Sequence, residues 1–308
     1  MKSIRIHEFG GPEVLMLENI PRPNPQSHQV LIQQLAAGVN PVDWKVRSGH
    51  YTHLRSIPLP WIPGVDGAGI VEEVGTGVTA YQPGDAVYGP VTGGYAEYVA
   101  VQAADLQPKP VNLTFEQAAA SPVCTLTAWQ SVIEVADVQP GQRVLVQGAA
   151  GGVGHFAVQF AHWKGAYVIG TASAGNADFV RSLGADEVID YNAARFEDAA
   201  RDLDAVIDTV GGEVFTRSLK VIRKGGVLVT VGAQPTPEMG KKEGIKVVRG
   251  GRAPIERFEQ ITELLESGKV KPFVGTIFRL NEARKAHELS QSGHLRGKIV
   301  LQISVFPD

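Results

Sequence analysis

The sequence predicts an α/β protein, a doubly wound parallel sheet joined to an antiparallel β-domain. Three observations predict it. Short apolar strands alternate with helices from Thr114 to about Gly250; a glycine cluster follows directly on one of those strands; and the preceding residues carry β-branched runs cut by Gly and Pro turns. Strands apolar along their whole length, with helices between them, belong to a parallel sheet covered on both faces. At 308 residues the chain exceeds the size at which one core stops growing, so more than one domain is expected.

In the first part, residues 29–34, 69–74 and 95–101 read as strands. Pro21-Arg22-Pro23, Pro83-Gly84-Asp85 and Gly93-Gly94 are the turn signals around them. Thr114 followed by Gln117 is a capping box, opening a helix that runs into Ala118-Ala119-Ala120. Strand 143–147, helix 153–163, strand 167–171, helix 177–183, strands 187–189 and 205–207, helix 214–222 and strand 227–231 follow. Ile245-Lys246-Val247-Val248 reads as a further short strand. Then comes an amphipathic helix, 255–267, with Ile255, Phe258, Ile261, Leu264 and Leu265 on one face, Pro254 at its first turn and Gly268 after its end. A helix opened by Asn281 and stopped near Gly293 leads into a last apolar strand, 299–303. The expected domains are residues 1–115, 116–251, and a C-terminal part, 252–308, returning to the first.

Composition excludes several classes of function. A net charge of −3, with scattered basic residues, carries no nucleic-acid footprint. No apolar run approaches the roughly 20 residues that span a bilayer, and the N-terminal MKSIRIHEFG lacks the apolar stretch of a secretory signal. Cys124 is the single cysteine, so no intrachain disulfide forms. No membrane association and a cytoplasmic location are therefore expected.

The most informative segment is Val144-Leu145-Val146-Gln147-Gly148-Ala149-Ala150-Gly151-Gly152-Val153-Gly154, a strand running through glycines into a helix. In a Rossmann fold such glycines serve a tight turn, close approach to a pyrophosphate and helix-on-strand packing, while the helix N-terminus offers N–H groups to the anion. The fingerprint G-x-G-x-x-G here becomes A-x-G-x-x-G, beginning at Ala149. Ala150, Gly151, Gly152, Val153 and Gly154 are the expected phosphate contacts. The tip of the next strand, Gly170-Thr171-Ala172-Ser173-Ala174-Gly175, lacks the carboxylate that binds the ribose 2′-hydroxyl of NAD. Its absence favours NADP(H), with Ser173 and Tyr191 as candidates for the 2′-phosphate.

With that turn in place, the chain resembles the zinc-independent quinone oxidoreductases, the zeta-crystallin-like branch of the medium-chain dehydrogenases/reductases. The resemblance rests on Gly38-Val39-Asn40-Pro41-Val42-Asp43, Arg47-Ser48-Gly49-His50-Tyr51, Pro63-Gly64-Val65-Asp66-Gly67-Ala68-Gly69, Pro83-Gly84-Asp85 and Gly293-His294-Leu295-Arg296-Gly297-Lys298. It implies a GroES-like β-domain contributed by both chain ends, a six-stranded Rossmann domain and a cleft site between them. It also implies cofactor contacts from Val231, Gly232, Val248 and Arg249. Zinc-dependent relatives place a Cys at Asn40 and a His-Glu pair at Val65-Asp66. Val65 cannot ligate, Cys124 alone cannot hold an ion, and His7, His50 and His53 lack ligand spacing, so no metal is expected.

Without a Lewis acid, a conjugated acceptor is the easier hydride target because its π-system spreads the incoming charge. The reaction expected is NADPH-dependent reduction of a quinone. Reduction of an enone or enal in the same cleft, and a nucleotide-binding protein with little turnover, are the alternatives. The resemblance brings Asn40, Lys45 and Tyr51 into the cleft. Asn40 either orients the nicotinamide or a substrate oxygen, or holds with Asp43 the turn before a helix; Tyr51 either stacks or donates a proton, or is cleft wall. Lys45 stands where a relative has a cofactor-contacting tyrosine. A homodimer is expected through strand 245–248, an outermost strand whose open edge a second copy can pair; the alternative is a monomer kept soluble by Lys246 and Arg249.

Overall fold

The computed structural model describes residues 1–52, 56–236 and 238–304, which excludes His53. Two compact units divide the chain: Met1–Val123 with Pro272–Asp308, and Cys124–Lys271.

The first unit opens with a two-stranded ribbon, β1 (Lys2–Arg5) and β2 (Met16–Asn19). β3 (Gln29–Val39), eleven residues long and nearly all buried, is the spine of the larger sheet. α1 (Pro41–Arg47) leaves its end with proline in the first turn, where a missing N–H costs nothing. β4 (Asp66–Val74), β5 (Ala86–Pro90), β6 (Tyr98–Gln102) and β7 (Gln107–Pro108) complete the antiparallel ladder. α2 (Phe115–Ala119) is capped as expected: the Gln117 N–H donates to Thr114 Oγ1 at 3.2 Å, and the Thr114 N–H to Gln117 Oε1 at 3.0 Å.

After α3 (Pro122–Trp129) and a π-helical turn, Gln130–Val135, the second unit alternates as the sequence predicts. Its elements are β8 (Arg143–Gln147), α4 (Gly154–Trp163), β9 (Tyr167–Ala172), α5 (Ala177–Ser182), β10 (Glu187–Asp190), α6 (Phe196–Ala199), β11 (Leu203–Asp208), α7 (Gly212–Ser218), β12 (Ile222–Thr230) and β13 (Lys246–Arg249). The six strands are all parallel, in the order β10-β9-β8-β11-β12-β13, which is the Rossmann winding. Helix 214–222 needs correction. The helix ends at Ser218, because Val221 and Ile222 join the sheet: the Leu203 N–H donates to Val221 O at 3.0 Å and Ile222 pairs with Leu203.

α8 (Phe258–Glu266) follows a 3-10 turn at Ile255–Arg257. The chain then re-enters the first unit through β14 (Val274–Arg279), α9 (Ala283–Ser292) and β15 (Lys298–Gln302), with β15 antiparallel to β3. Asn281 does not open α9; it lies inside a 3-10 turn capped two residues earlier, where the Arg279 N–H donates to the Glu282 carboxylate. Gly293 ends α9 at φ +73°. Residues 116–123 thus group with the β-rich unit and 252–271 with the parallel sheet, rather than dividing at 115 and 251. The second segment is tied there by Ala253 N–H to Leu126 O, at 3.0 Å, and by the Gln159 carboxamide bonding both polar groups of Lys271.

Candidate functional site

Parallel strands end together, and in this sheet the register puts their C-terminal residues in one row. Asp190 pairs with Ala172, Gln147 with Asp208, Asp208 with Thr230, and Thr230 with Arg249. β9 lies to one side of β8 and β11 to the other, so the loops after β8 and β11 diverge at a topological switch point, where open α/β sheets bind ligands.

The turn after β8 divides the glycine roles differently from the fingerprint. Gly148 takes the left-handed conformation, φ +68°, and its N–H donates to Thr171 Oγ1 at 3.1 Å. Ala149 is a packing residue instead: its N–H donates to Thr171 O, and its methyl fills space that Gly170 leaves open, since a Cβ on Gly170 would lie 2.9 Å from it. A Cβ on Gly154 would come within 2.1 Å of Gly148 O, so the helix start touches the turn backbone directly. Gly151 donates to Gly148 O at 2.9 Å. Among the described residues, no group accepts the N–H of Gly152, Val153 or Gly154. Those donors, at the positive end of α4, fit the pyrophosphate of a dinucleotide.

The supports of this edge were not singled out in the sequence. Thr171 Oγ1 donates to Gln147 Oε1 at 2.7 Å. Asp208 accepts from the N–H groups of Val210 and Gly211 and, at 2.6 Å, from the Thr230 hydroxyl, which in turn accepts from Gly232 and Ala233 N–H. The signal was available: Gln147, Asp208 and Thr230 are each a polar residue closing an apolar strand. Ser173 Oγ accepts from Asn176 Nδ2 at 3.2 Å, and Tyr191, half exposed, donates its N–H to Ala172 O. The carboxylate at this tip comes from the neighbouring strand: Asp190, beside Ala172, takes the Asn192 N–H. The Val231 N–H donates to Asp208 O, Gly232 follows it, Val248 pairs with Val229, and the Arg249 guanidinium donates to Gln234 Oε1. All the sequence-predicted cofactor residues therefore belong to the loops and strand ends of this one sheet.

The remaining candidates belong to the β-rich unit. Asn40 caps α1 and is 2% exposed. Its Oδ1 accepts from Lys298 Nζ at 2.6 Å, and its Nδ2 donates to Asp66 Oδ2 at 2.7 Å. Three residues on, Asp43 accepts from Asn40 N–H (2.8 Å), Tyr95 OH (3.2 Å) and Gly64 N–H (3.3 Å). Burial pushes the Asp43 carboxyl up to about 7; the Asn40 N–H opposes that, neighbouring Asp66 reinforces it and Lys298 again opposes it. The Tyr95 hydroxyl also meets His287 Nε2 at 3.3 Å, and His287 Nδ1 faces Arg47 Nη1 at 3.5 Å. Burial, then the Arg47 charge, holds His287 down to about 3, so it is neutral. Lys45 is half buried, its ammonium 5.6 Å from the Trp44 ring, and Tyr51 sets its ring edge-on to His50 at 5.9 Å. Neither is hydrogen-bonded to Asn40 among the described residues. Asn40, Asp43 and Asp66 form one cluster; Lys45 and Tyr51 stand outside it.

Comparisons with known proteins agree with this architecture. Residues 26–111 match the alcohol dehydrogenase GroES-like domain, and residues 183–301 the family described as zinc-binding dehydrogenase. The mouse quinone oxidoreductase is 38% identical, covering 98% of this chain and 97% of its own. The Arabidopsis NADPH-dependent alkenal/one oxidoreductase is 37% identical, covering 98% of this chain and 79% of its own. Among solved structures, the Coxiella burnetii quinone oxidoreductase superposes with a TM-score of 0.90 at 36% identity, covering 99% of both chains. The Escherichia coli quinone oxidoreductase complexed with NADPH gives 0.87 at 29%, covering 98% of this chain and 100% of its own.

The zinc in that family description does not fit the residues of this chain. The Asn40 oxygen, at the relatives' Cys position, is taken by the Lys298 ammonium, Val65 has no donor, and Asp66 is turned to Asn40 and to the Val123 N–H. Among the described residues no group of three or more His, Cys, Asp or Glu is placed to hold a metal. Nor is any helix among them long and apolar enough to cross a membrane.

Proposed function

The chain belongs to the zeta-crystallin-like, quinone oxidoreductase branch of the medium-chain dehydrogenases/reductases, a family of oxidoreductases, and from that membership we propose that it reduces a quinone or other conjugated carbonyl with NADPH and without a metal. The observation that carries this reading is the edge of the parallel sheet: three N–H groups at the start of α4 that no group among the described residues accepts, and a β9 tip, Ala172-Ser173, without its own acid. NADPH would supply the hydride. Gly152, Val153 and Gly154 would hold its pyrophosphate, Ser173 and Tyr191 its 2′-phosphate, and Val231, Gly232, Val248 and Arg249 the remaining length. Asn40, Lys45 and Tyr51 are the residues proposed for the acceptor side. Asn40 acts there through the cluster that fixes it, because its amide is already engaged by Lys298 and Asp66.

The test is NADPH oxidation against a panel of quinones and enones, before and after exhaustive chelation, with elemental analysis of the purified protein. Turnover that survives chelation supports the reading. About one zinc per chain, lost together with activity, overturns it. An enone or enal as the preferred acceptor is the second reading, favoured by the Arabidopsis relative's own name.

We also propose a homodimer. β13 is the last strand of its sheet, and pairing with the same strand of a second copy would close both edges by a two-fold operation. Light scattering at micromolar concentration tests it, and a monomer mass refutes it.

A further inference from the structure

The closing motif Arg296-Gly297-Lys298 delivers the most deeply buried ammonium among the described residues, the one that engages Asn40. Lys298 opens β15 at 3% exposure. It is positioned by Gly297, which adopts φ +64° and approaches so closely that a Cβ there would meet Phe273 O at 2.3 Å. The Lys298 ammonium donates to Val39 O at 3.0 Å and to Asn40 Oδ1 at 2.6 Å, and stands 4.0 Å from Asp66 Oδ2. Asp66 is itself fully buried. We propose that Lys298 is the built-in cation of this site: it offsets Asp66 and fixes the Asn40 carboxamide at the head of α1.

The argument is one of donors and charges. A carboxamide has two ends of nearly equal shape, and its partners decide which way it faces. An ammonium can only donate, so the Asn40 oxygen must face Lys298, and the amide nitrogen is thereby turned to Asp66. The other oxygen of Asp66 accepts from the Val123 N–H at 2.9 Å, so β3, β4, β15 and the start of α3 meet at one point. A carboxylate this buried persists only when paired and hydrogen-bonded. A divalent ion on the Asn40 oxygen would have to displace a cation 2.6 Å away, which accounts for the misfit with zinc. Asp43, bonded to the Asn40 N–H, is faced as well by Gly64 N–H, Tyr95, Asp66 and Lys298, and through Tyr95 by His287 and Arg47. Lys298 is thus a positioning residue, acting through Asn40.

The inference rests on the metal-free reading of the site. The experiment compares the full-length wild type with Lys298→Met, which keeps volume and removes charge, with Lys298→Met/Asp66→Asn, and with Lys298→Ala. Thermal melting is followed without and with propylammonium chloride, or with 1-propanol or sodium chloride as controls. Lys298→Met is expected to melt well below the wild type, the added Asp66→Asn to recover most of the loss, and propylammonium alone to raise Lys298→Ala. With NADPH and a quinone as probes, kcat of Lys298→Met is expected to fall at least about tenfold, with KM for NADPH within about twofold. A Lys298→Met protein as stable and active as the wild type overturns the inference, as does rescue by propanol as effective as that by propylammonium. Where both single variants fail to fold, the double variant decides: folding supports the charge pairing, and its failure overturns it. Zinc found in active wild type sinks the metal-free reading itself, a result separate from any of these.

Discussion

The phosphate turn and the buried cluster around Asn40 are built on opposite principles. The turn uses backbone over seven consecutive residues, Gly148 to Gly154, and what it requires of the side chains is mainly that some be absent. The cluster uses side chains of α1 and its cap, β4, α9 and β15, with Tyr95 from the loop before β6, and joins residues 258 apart, Asn40 and Lys298. Backbone chemistry is local, so a missing Cβ or a free N–H is written in adjacent letters. Side-chain chemistry at a buried site depends on partners that only the fold brings together.

The strongest way to break the contrast is to add one methyl group to the turn. Gly154→Ala places a Cβ 2.1 Å from Gly148 O, a backbone atom that cannot swing away. Overpacking of this kind costs about 1–3 kcal/mol, and the turn must open to relieve it. NADPH affinity is expected to fall by about a hundredfold, because the donors of α4 lose their common aim. Calorimetric titration measures it; unchanged affinity would show that the close contact is incidental.

In the cluster the corresponding lever is pH, since its polar groups titrate. Asp43, raised from 3.8 to about 7, contributes stability that is fully present below 3.8 and lost as pH rises through 7. His287, lowered from 6.5 to about 3, contributes stability present above 6.5 and lost as pH falls through 3. Between about pH 4 and 6.5 the two oppose, each at roughly 1.4 kcal/mol per pH unit, so their sum is nearly flat. Asp43→Asn should therefore lose stability on acidification below 6.5, and His287→Gln should gain it on acidification below 7. Urea melts across that window decide the matter. Parallel profiles for wild type and both variants would remove either group from the linkage.

The same contrast explains what could be read in advance. Every strand of the parallel sheet is visible in the sequence, because each is a short apolar run. The Thr114–Gln117 cap is equally plain, its partners lying three residues apart. The pattern extends helix 214–222 past its end at Ser218 because Val221 and Ile222 suit a helix face as well as a strand, and only pairing with Leu203 decides between them. Asn40 was legible as important and its neighbour Asp43 as a cap, but nothing near either names Lys298, Tyr95 or His287. Asp190 is hidden in the sequence for the same reason: it is eighteen residues from Ala172 along the chain and directly beside it in register.

That neighbour sharpens the cofactor prediction, whose effect is smaller. Ser173, half exposed, is a better place for a new acid than Ala172, which is buried. Ser173→Asp should weaken NADPH about tenfold by repulsion of the 2′-phosphate, and strengthen NADH through its 2′-hydroxyl. Asp190→Asn should act oppositely and more weakly, by removing a charge one strand away. Fluorescence titration of both cofactors against the three proteins checks the order, and wild type binding NADH as tightly as NADPH would refute the preference.

The smallest effect concerns a side chain lent to the backbone-built edge. Gln130, first residue of the π-helical turn after α3, accepts from the Gly251 N–H through Oε1 and donates to Arg252 O through Nε2, at 3.2 Å. It thereby pins the turn that follows β13 and Arg249. Gly250 lies close beneath the same turn, where a Cβ would meet Ser131 Oγ at 3.0 Å, so the backbone has little room to find another path. Gln130→Glu keeps the acceptor for Gly251 and turns the donor into a second acceptor, opposed to the Arg252 carbonyl. Gln130→Ala removes both bonds but lets water replace them, because the residue is partly exposed. A net hydrogen bond is worth about 1 kcal/mol, hence a loss of NADPH affinity of roughly three- to fivefold, larger for Glu than for Ala. That order, Glu worse than Ala, separates a side chain that holds the turn from one that merely fills space, for which Glu would be the milder change.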